Sequence, residues 1–120
     1  HIPAIEGNLI QIEQVVLNFI RNSIEAMDRV DKQYRRLTVK TETTPSGRIR
    51  LAVIDSGEGV AEDVLPKIFD AFFSTKADGM GIGLSISRSI VESHQGLISA
   101  RALEAGGAEF AFELPATAER

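Results

Sequence analysis

Apolar residues recur at helical spacing in two stretches of the chain and alternate with polar ones in four others. Leu9, Ile12, Val15, Val16, Phe19, Ile20, Ser23, Ile24 and Met27 keep the period of an α-helix, and Asn8 before them is a suitable N-cap. The spacing predicts an amphipathic helix of about six turns, ending near Val30. Next, Leu37, Val39 and Thr41 alternate with Thr38, Lys40 and Glu42, while Ile49, Leu51 and Val53 alternate with Arg50 and Ala52. Pro45-Ser46-Gly47 between them reads as the turn of an antiparallel hairpin. A short helix is expected over 62–68. Leu84, Ile86, Ile90 and Val91 predict a second long helix over 83–94, with Gly96 as its stop. Residues 97–103 and 108–114 then form a second hairpin across 104–107. Residues 2–7 read as an extended lead-in or short edge strand, since Pro3 and Gly7 oppose a helix. Residues after Pro115 read as a tail. Hairpins in place of repeated crossovers predict an α+β sandwich: one mainly antiparallel sheet with helices packed on one face.

Composition narrows the chemistry. With 120 residues the chain builds one domain and one core. Thirteen Lys+Arg against 17 Asp+Glu leave a formal charge of -4, which gives no general attraction to nucleic acid or to an anionic membrane. An anionic ligand would therefore need a local site. The absence of cysteine excludes disulfides, thiolate zinc sites and a thiol nucleophile. No stretch approaches the roughly 18 consecutive apolar residues of a membrane span, and no signal-peptide pattern is seen.

Four clusters carry candidate chemistry. Asn18, Arg21, Asn22 and Glu25 fall near one face of the first helix. An Asn amide oxygen suits Mg²⁺ and an Arg suits phosphate, although a solvated polar face has the same composition. Asp55-Ser56-Gly57-Glu58-Gly59 ends an apolar strand. Its carboxylate can accept from an exocyclic amine and its glycines let a flat ring approach; a strand-ending turn is the plainer alternative. Gly79-Met80-Gly81-Ile82-Gly83-Leu84 leads into the second helix, where exposed N–H groups and the helix dipole attract phosphate. A flexible glycine-rich helix entry would look alike. Neither a P-loop nor a dinucleotide GxGxxG motif is present. The fourth cluster is Phe69-Asp70-Ala71-Phe72-Phe73 with Ser74-Thr75-Lys76: aromatics of core type, followed by a lysine that serves either a phosphate or the solvent. His94, at the predicted helix end, reads as structural.

The order of these clusters resembles the catalytic, ATP-binding domain of bacterial sensor histidine kinases, in the larger family that includes gyrase, Hsp90 and MutL. Gln14 through Ala26 is similar to that family's asparagine box, Asp55 to Gly59 to its DxGxG box, Phe69 to Phe73 to its phenylalanine box, and Gly81-Ile82-Gly83-Leu84 to its GxGL box. Gly106-Gly107 with Phe110, Phe112, Leu114 and Pro115 matches its closing strand, so the likeness covers nearly the whole chain. The short stretch between Phe73 and Gly81 is similar to the kinases linked to PAS sensors, such as rhizobial oxygen sensors and nitrogen-regulatory kinases. Two departures stand out: Gly107-Ala108 where many relatives have Gly-Gly-Thr, and His94-Gln95-Gly96 where many have His-Gly-Gly.

The resemblance implies a Bergerat-type sandwich with a mixed, mainly antiparallel sheet. It implies that residues 1–120 are the catalytic domain of a longer cytoplasmic kinase, soluble or membrane-anchored, whose dimerisation and phosphoacceptor domain is absent here. It assigns Asp55 to the adenine amino group, Gly59 to the ring's approach, and Asn22 to Mg²⁺ with Asn18 in support. Phosphate contacts fall to the backbone at Gly81 and Gly83 and to Arg21 and Lys76, with Gly57, Val60, Ile82 and Leu84 among the further nucleotide contacts. Residues 74–79 become the ATP lid. Glu25, Phe69, Thr75, Gly79 and Met80 complete the expected nucleotide contacts. ATP and Mg²⁺ are the implied cofactors. The implied reaction is transfer of the γ-phosphoryl group to a histidine of the dimerisation domain, with a response regulator next; the lone domain is expected to be monomeric and to transfer little. No direct contact with membrane or nucleic acid is expected. Gyrase- and Hsp90-type hydrolases carry a glutamate at the Asn18 position, so a water-activating ATPase or a serine-protein kinase is the lesser alternative. A degenerate nucleotide-binding module is the other.

Overall fold

The computed structural model describes residues 8–28, 30–57, 63, 65–70, 81–104 and 106–116, with the backbone alone for Leu9 and Ile82. Helix α1 spans Leu9–Ala26, capped by the Asn8 side chain, which accepts from the Gln11 N–H at 3.1 Å. It stops short of Val30. Met27 turns back onto the carbonyls of Ser23 and Ile24 at 3.2 and 3.1 Å. The Arg35 guanidinium donates to the carbonyls of Val30 and Asp28 at 2.7 and 3.0 Å, so these acceptors are satisfied without a further helical turn.

Strands β1 (Leu37–Thr43), β2 (Arg48–Asp55), β3 (Leu97–Ala102) and β4 (Ala108–Pro115) form one sheet in the order β1-β2-β4-β3. Every pairing among the described residues is antiparallel. Both hairpins fall where the alternation predicts them. The first turns at Gly47, whose φ of 84° suits glycine. The predicted lead-in strand over residues 2–7 lies outside the described residues. Of the short helix expected over 62–68, a single 3₁₀ turn at Leu65–Lys67 is described.

Helix α2 spans Gly81–Ser93 and packs beside α1 on one face of the sheet. The core lies between: Val15 and Phe19 from α1, Leu84, Ile90 and Val91 from α2, Val53 from β2 and Phe110, Phe112 and Leu114 from β4. The Phe19 ring sits 5.7 Å from Phe110 and 6.1 Å from Phe112, tilted against both. Two apolar expectations fail. Ile24 was expected on the buried face but is 57% exposed, in line with Ile10 and Leu17 at seven-residue spacing on the solvent side of α1. Leu37 and Val39 are also exposed, because β1 is an edge strand that α1 scarcely covers. Among the described residues no helix is long and apolar enough to cross a membrane.

The other sheet face is charged. Glu109 on β4, itself buried, accepts from Arg101 at 2.9 Å and from Arg50 at 2.8 Å, and Arg50 also reaches Glu42 at 3.5 Å. Burial pushes the Glu109 carboxyl up, but hydrogen bonds from Arg101 and Arg50 and the charges of both guanidiniums outweigh it and hold the group below its ordinary value of 4.5.

The end of α2 departs from the predicted glycine stop. Gln95, not Gly96, takes the left-handed conformation, with φ 63°. Gly96 N–H bonds the Val91 carbonyl at 2.9 Å and Gln95 N–H the Glu92 carbonyl at 3.0 Å, the paired bonds of a Schellman cap. Gly96 is required for a different reason: a Cβ there would run into the Glu113 carbonyl and come within 2.6 Å of the Leu114 side chain. His94 ties the two helices together. Its Nδ1 lies 2.8 Å from the Ile90 carbonyl and its Nε2 accepts from the Asn8 N–H at 3.0 Å. This pairing fits a neutral ring protonated on Nδ1.

Two stability predictions follow from this geometry. Gln95→Gly is expected to stabilise the domain by about 0.5–1 kcal/mol, since it relieves left-handed strain and keeps the backbone bonds; thermal unfolding should shift up by a few degrees. Glu109→Gln is expected to destabilise by about 1–2 kcal/mol at pH 7. A carboxyl lowered by folding stabilises above its unfolded value and loses that contribution as pH falls through its folded value. The gap between wild type and Glu109→Gln in denaturant unfolding should therefore narrow as the pH is lowered below 4.5.

Candidate functional site

The site assembles where β2 ends under the last turns of α1. Asp55, the final residue of β2, is 3% exposed. Its Oδ1 accepts from the N–H groups of Gly57 at 2.9 Å and Ala108 at 3.3 Å. Its Oδ2 is buried and has no hydrogen-bond partner among the described residues. A buried unpaired carboxylate oxygen is costly, by about 1–3 kcal/mol, and marks a place where a donor is wanted. The Ser23 hydroxyl on α1 is likewise buried and unpartnered.

Two glycines fix the aspartate. A Cβ on Gly57 would lie 2.6 Å from the Ala26 carbonyl oxygen, so the loop after β2 approaches the end of α1 as only glycine allows. Gly107, at φ 92°, presses on the Asp55 carbonyl, which leaves no room for a side chain. Ser56 secures the loop from the other side, donating to the Tyr34 carbonyl at 2.9 Å and accepting from Arg36 N–H at 2.8 Å.

On α1, Asn22 donates from Nδ2 to the Asn18 carbonyl at 2.8 Å. That bond fixes the amide and leaves its Oδ1 without a hydrogen bond among the described residues. A neutral, hard oxygen held in this way fits a Mg²⁺ ligand. Asn18 faces α2 instead: its Nδ2 donates to the Ser87 hydroxyl at 3.2 Å. Asn18, Asn22 and Glu25 are half-buried and Arg21 is exposed, so the four predicted polar residues of α1 do not share one environment. The described part of α2 opens with Gly81, Ile82 and Gly83, and N–H groups at a helix N-terminus attract anions. Leu84 is buried in the core, and Phe69 is half-buried against that core. Gly59, Val60, Thr75, Lys76, Gly79 and Met80 lie outside the described residues.

Three contributors escaped the sequence reading. The Ala108 N–H and Gly107 support Asp55 from a segment 53 residues away, signalled only by the Gly-Gly pair before the last strand. Ser87 is fully buried on an apolar helix face, and a lone hydroxyl among Leu84, Ile90 and Val91 was its visible sign.

The family of histidine kinase-, DNA gyrase B- and HSP90-like ATPases matches residues 7–118. The sensor protein FixL of Bradyrhizobium diazoefficiens is 46% identical over 110 residues, which are 92% of this chain and 21% of FixL. The sensor protein TdiS of Thauera aromatica is 41% identical over 114 residues, 94% of this chain and 21% of its own length. The chain thus spans about a fifth of these sensor kinases. Among solved structures, the nucleotide-free catalytic domain of histidine kinase ThkA superposes with a TM-score of 0.80 at 36% identity, covering 94% of this chain and 71% of that one. Full-length ShkA in complex with AMPPNP gives a TM-score of 0.81 at 32% identity, with 99% and 24% covered. The two-helix, four-stranded fold is that of the ThkA domain. The chain belongs to the histidine kinase-, DNA gyrase B- and HSP90-like ATPase family, as the ATP-binding catalytic domain of a sensor histidine kinase.

Proposed function

We propose that the domain binds ATP with Mg²⁺ between Asp55, the Asn22 side of α1 and the N-terminus of α2, and donates the γ-phosphoryl group to a histidine on the dimerisation domain of the same kinase. A response regulator receiver domain then takes the phosphoryl group. The carrying observation is the buried, unpartnered Asp55 Oδ2, beside an Oδ1 already saturated by two backbone N–H groups. Such an oxygen suits an exocyclic amine such as the 6-amino group of adenine, where guanine carries a carbonyl. Adenine bound there would bring the phosphates toward Asn22 and α2.

Asn22 Oδ1 would hold the Mg²⁺, which when bound neutralises charge on the phosphate oxygens. The first turn of α2 orients the phosphates through its N–H groups. The residues beyond the described ones that the resemblance assigns, Gly59, Val60, Thr75, Lys76, Gly79 and Met80, belong to the same proposed site, with Arg21 and Glu25 at its rim. In the transfer, an imidazole nitrogen forms the P–N bond while the bond from the γ-phosphorus to its bridging oxygen breaks and ADP leaves. Positioning and charge neutralisation supply most of the catalysis in such a step. Asn18 supports the site through Asn22 and offers no carboxylate to activate water, which favours transfer over hydrolysis.

Calorimetric titration with ADP and Mg²⁺ tests the placement. Wild type should bind saturably, and Asp55→Asn should lose at least about tenfold in affinity, since it replaces a charged acceptor. Unchanged binding in a folded Asp55→Asn variant would put the base elsewhere. With γ-labelled ATP, the chain alone should acquire no phosphohistidine: both ring nitrogens of His94 are engaged, with Ile90 and Asn8. Label should appear on the dimerisation domain when that domain is supplied. Stable label on His94 would refute the requirement for a separate acceptor.

A further inference from the structure

Ser87 lies two turns into α2, far from where a phosphate would sit on that helix's first N–H groups. It is fully buried, on the face that carries Leu84, Ile90 and Val91 into the core. Packing alone gives no reason for a hydroxyl there. Alanine fits the same space, is the better helix former, and carries no polar atom to desolvate. The hydroxyl accepts from the Asn18 side-chain amide at 3.2 Å, across the seam between α1 and α2.

Asn18 is used at both ends. Its side chain holds Ser87, and its backbone carbonyl accepts from Asn22 Nδ2 at 2.8 Å, setting which way the Asn22 amide turns. The chain of contacts thus runs from α2 through Ser87 and Asn18 to the oxygen assigned to the metal. We propose that Ser87 is a positioning residue that fixes the spacing between the Asn22 oxygen and the N-terminus of α2, so that one metal ion meets both the amide and the phosphates. The proposal rests on the nucleotide and metal assignment made above. Ser87 touches neither nucleotide nor metal; it acts through Asn18. Loss of the hydroxyl would let the two helices settle at a different separation. It would weaken binding that needs both helices at once more than binding that needs only the base and the phosphates.

The test measures ADP affinity with and without Mg²⁺ by calorimetry, alongside thermal unfolding, in wild type, Ser87→Ala, Asn18→Ala, the double variant and Asn22→Ala. Mg²⁺ should tighten wild-type binding. Ser87→Ala should lose about fivefold of that gain, the worth of one hydrogen bond, while metal-free ADP affinity stays within about twofold. Asn18→Ala breaks the same bond from α1 and leaves α2 unaltered, so it serves if Ser87→Ala folds poorly. Adding Ser87→Ala to Asn18→Ala should cost nothing further, the signature of a shared interaction. A Ser87→Ala chain that keeps the full Mg²⁺ gain overturns the proposal. So does one that loses affinity equally with and without the ion while its unfolding temperature drops, because a merely structural serine would behave that way. If Asn22→Ala abolishes the gain and Ser87→Ala spares it, only the role of Ser87 falls. If wild type shows no gain, the metal assignment falls and Ser87 with it.

Discussion

Asp55 stands between two backbones that approach as closely as the chain permits. Gly57 lies against the Ala26 carbonyl at the end of α1, and Gly107 lies against the carbonyl of Asp55 itself. With the Ala108 N–H on its carboxylate, the aspartate joins β2 to β4, and Gly57 beside it meets the end of α1. A methyl group at either glycine would push one of these elements away. This constraint sets where α1 ends relative to the sheet, and the position of every polar residue on that helix follows from it. The cost is a carboxylate oxygen buried without a partner among the described residues.

The sheet keeps its faces apart by the plain period of two. Val53, Phe110, Phe112 and Leu114 turn toward the helices, while Arg50, Glu109 and Arg101 turn away, with Glu109 paired to both arginines across three strands. The charged face needs no helix to cover it, so both long helices lie on one side. The end of α1 then meets the loop after Asp55. The Asn18–Ser87 bond near their middle and the Asn8–His94 bond at their far ends hold them as a pair. The site therefore rests on two helices braced at separate points and on a strand end wedged between glycines.

The amide chemistry on α1 is divided by direction. Asn22 sends its nitrogen back along its own helix, which leaves an oxygen outward, whereas Asn18 sends its nitrogen sideways to the neighbouring helix. Four residues of separation place them one turn apart, yet tertiary contacts give the same side-chain type two tasks. Asn18 offers an amide and no carboxylate, and its nitrogen has a structural use of its own on Ser87.

The periodicities along the chain were enough to place both long helices, all four strands and both hairpins, because each element repeats its own geometric period in the residues it buries. Asn8 as a cap, Gly47 as a turn and Asp55 as a strand-ending carboxylate were also legible, since each depends on its nearest neighbours. The sequence did not locate the end of α1, which Arg35 settles from beyond the helix, nor the exposure of Ile24 and Val39, which depends on what covers them. It named Gly96 as the helix stop, but Gln95 carries the turn and Gly96 is needed for clearance against β4. The support of Asp55 by Ala108 and of Asn18 by Ser87 joins residues 53 and 69 positions apart. Local pattern determines which element a residue enters, because backbone geometry is local; which groups meet across elements is decided only when the helices close on the sheet and desolvation compels each buried polar atom to find a partner.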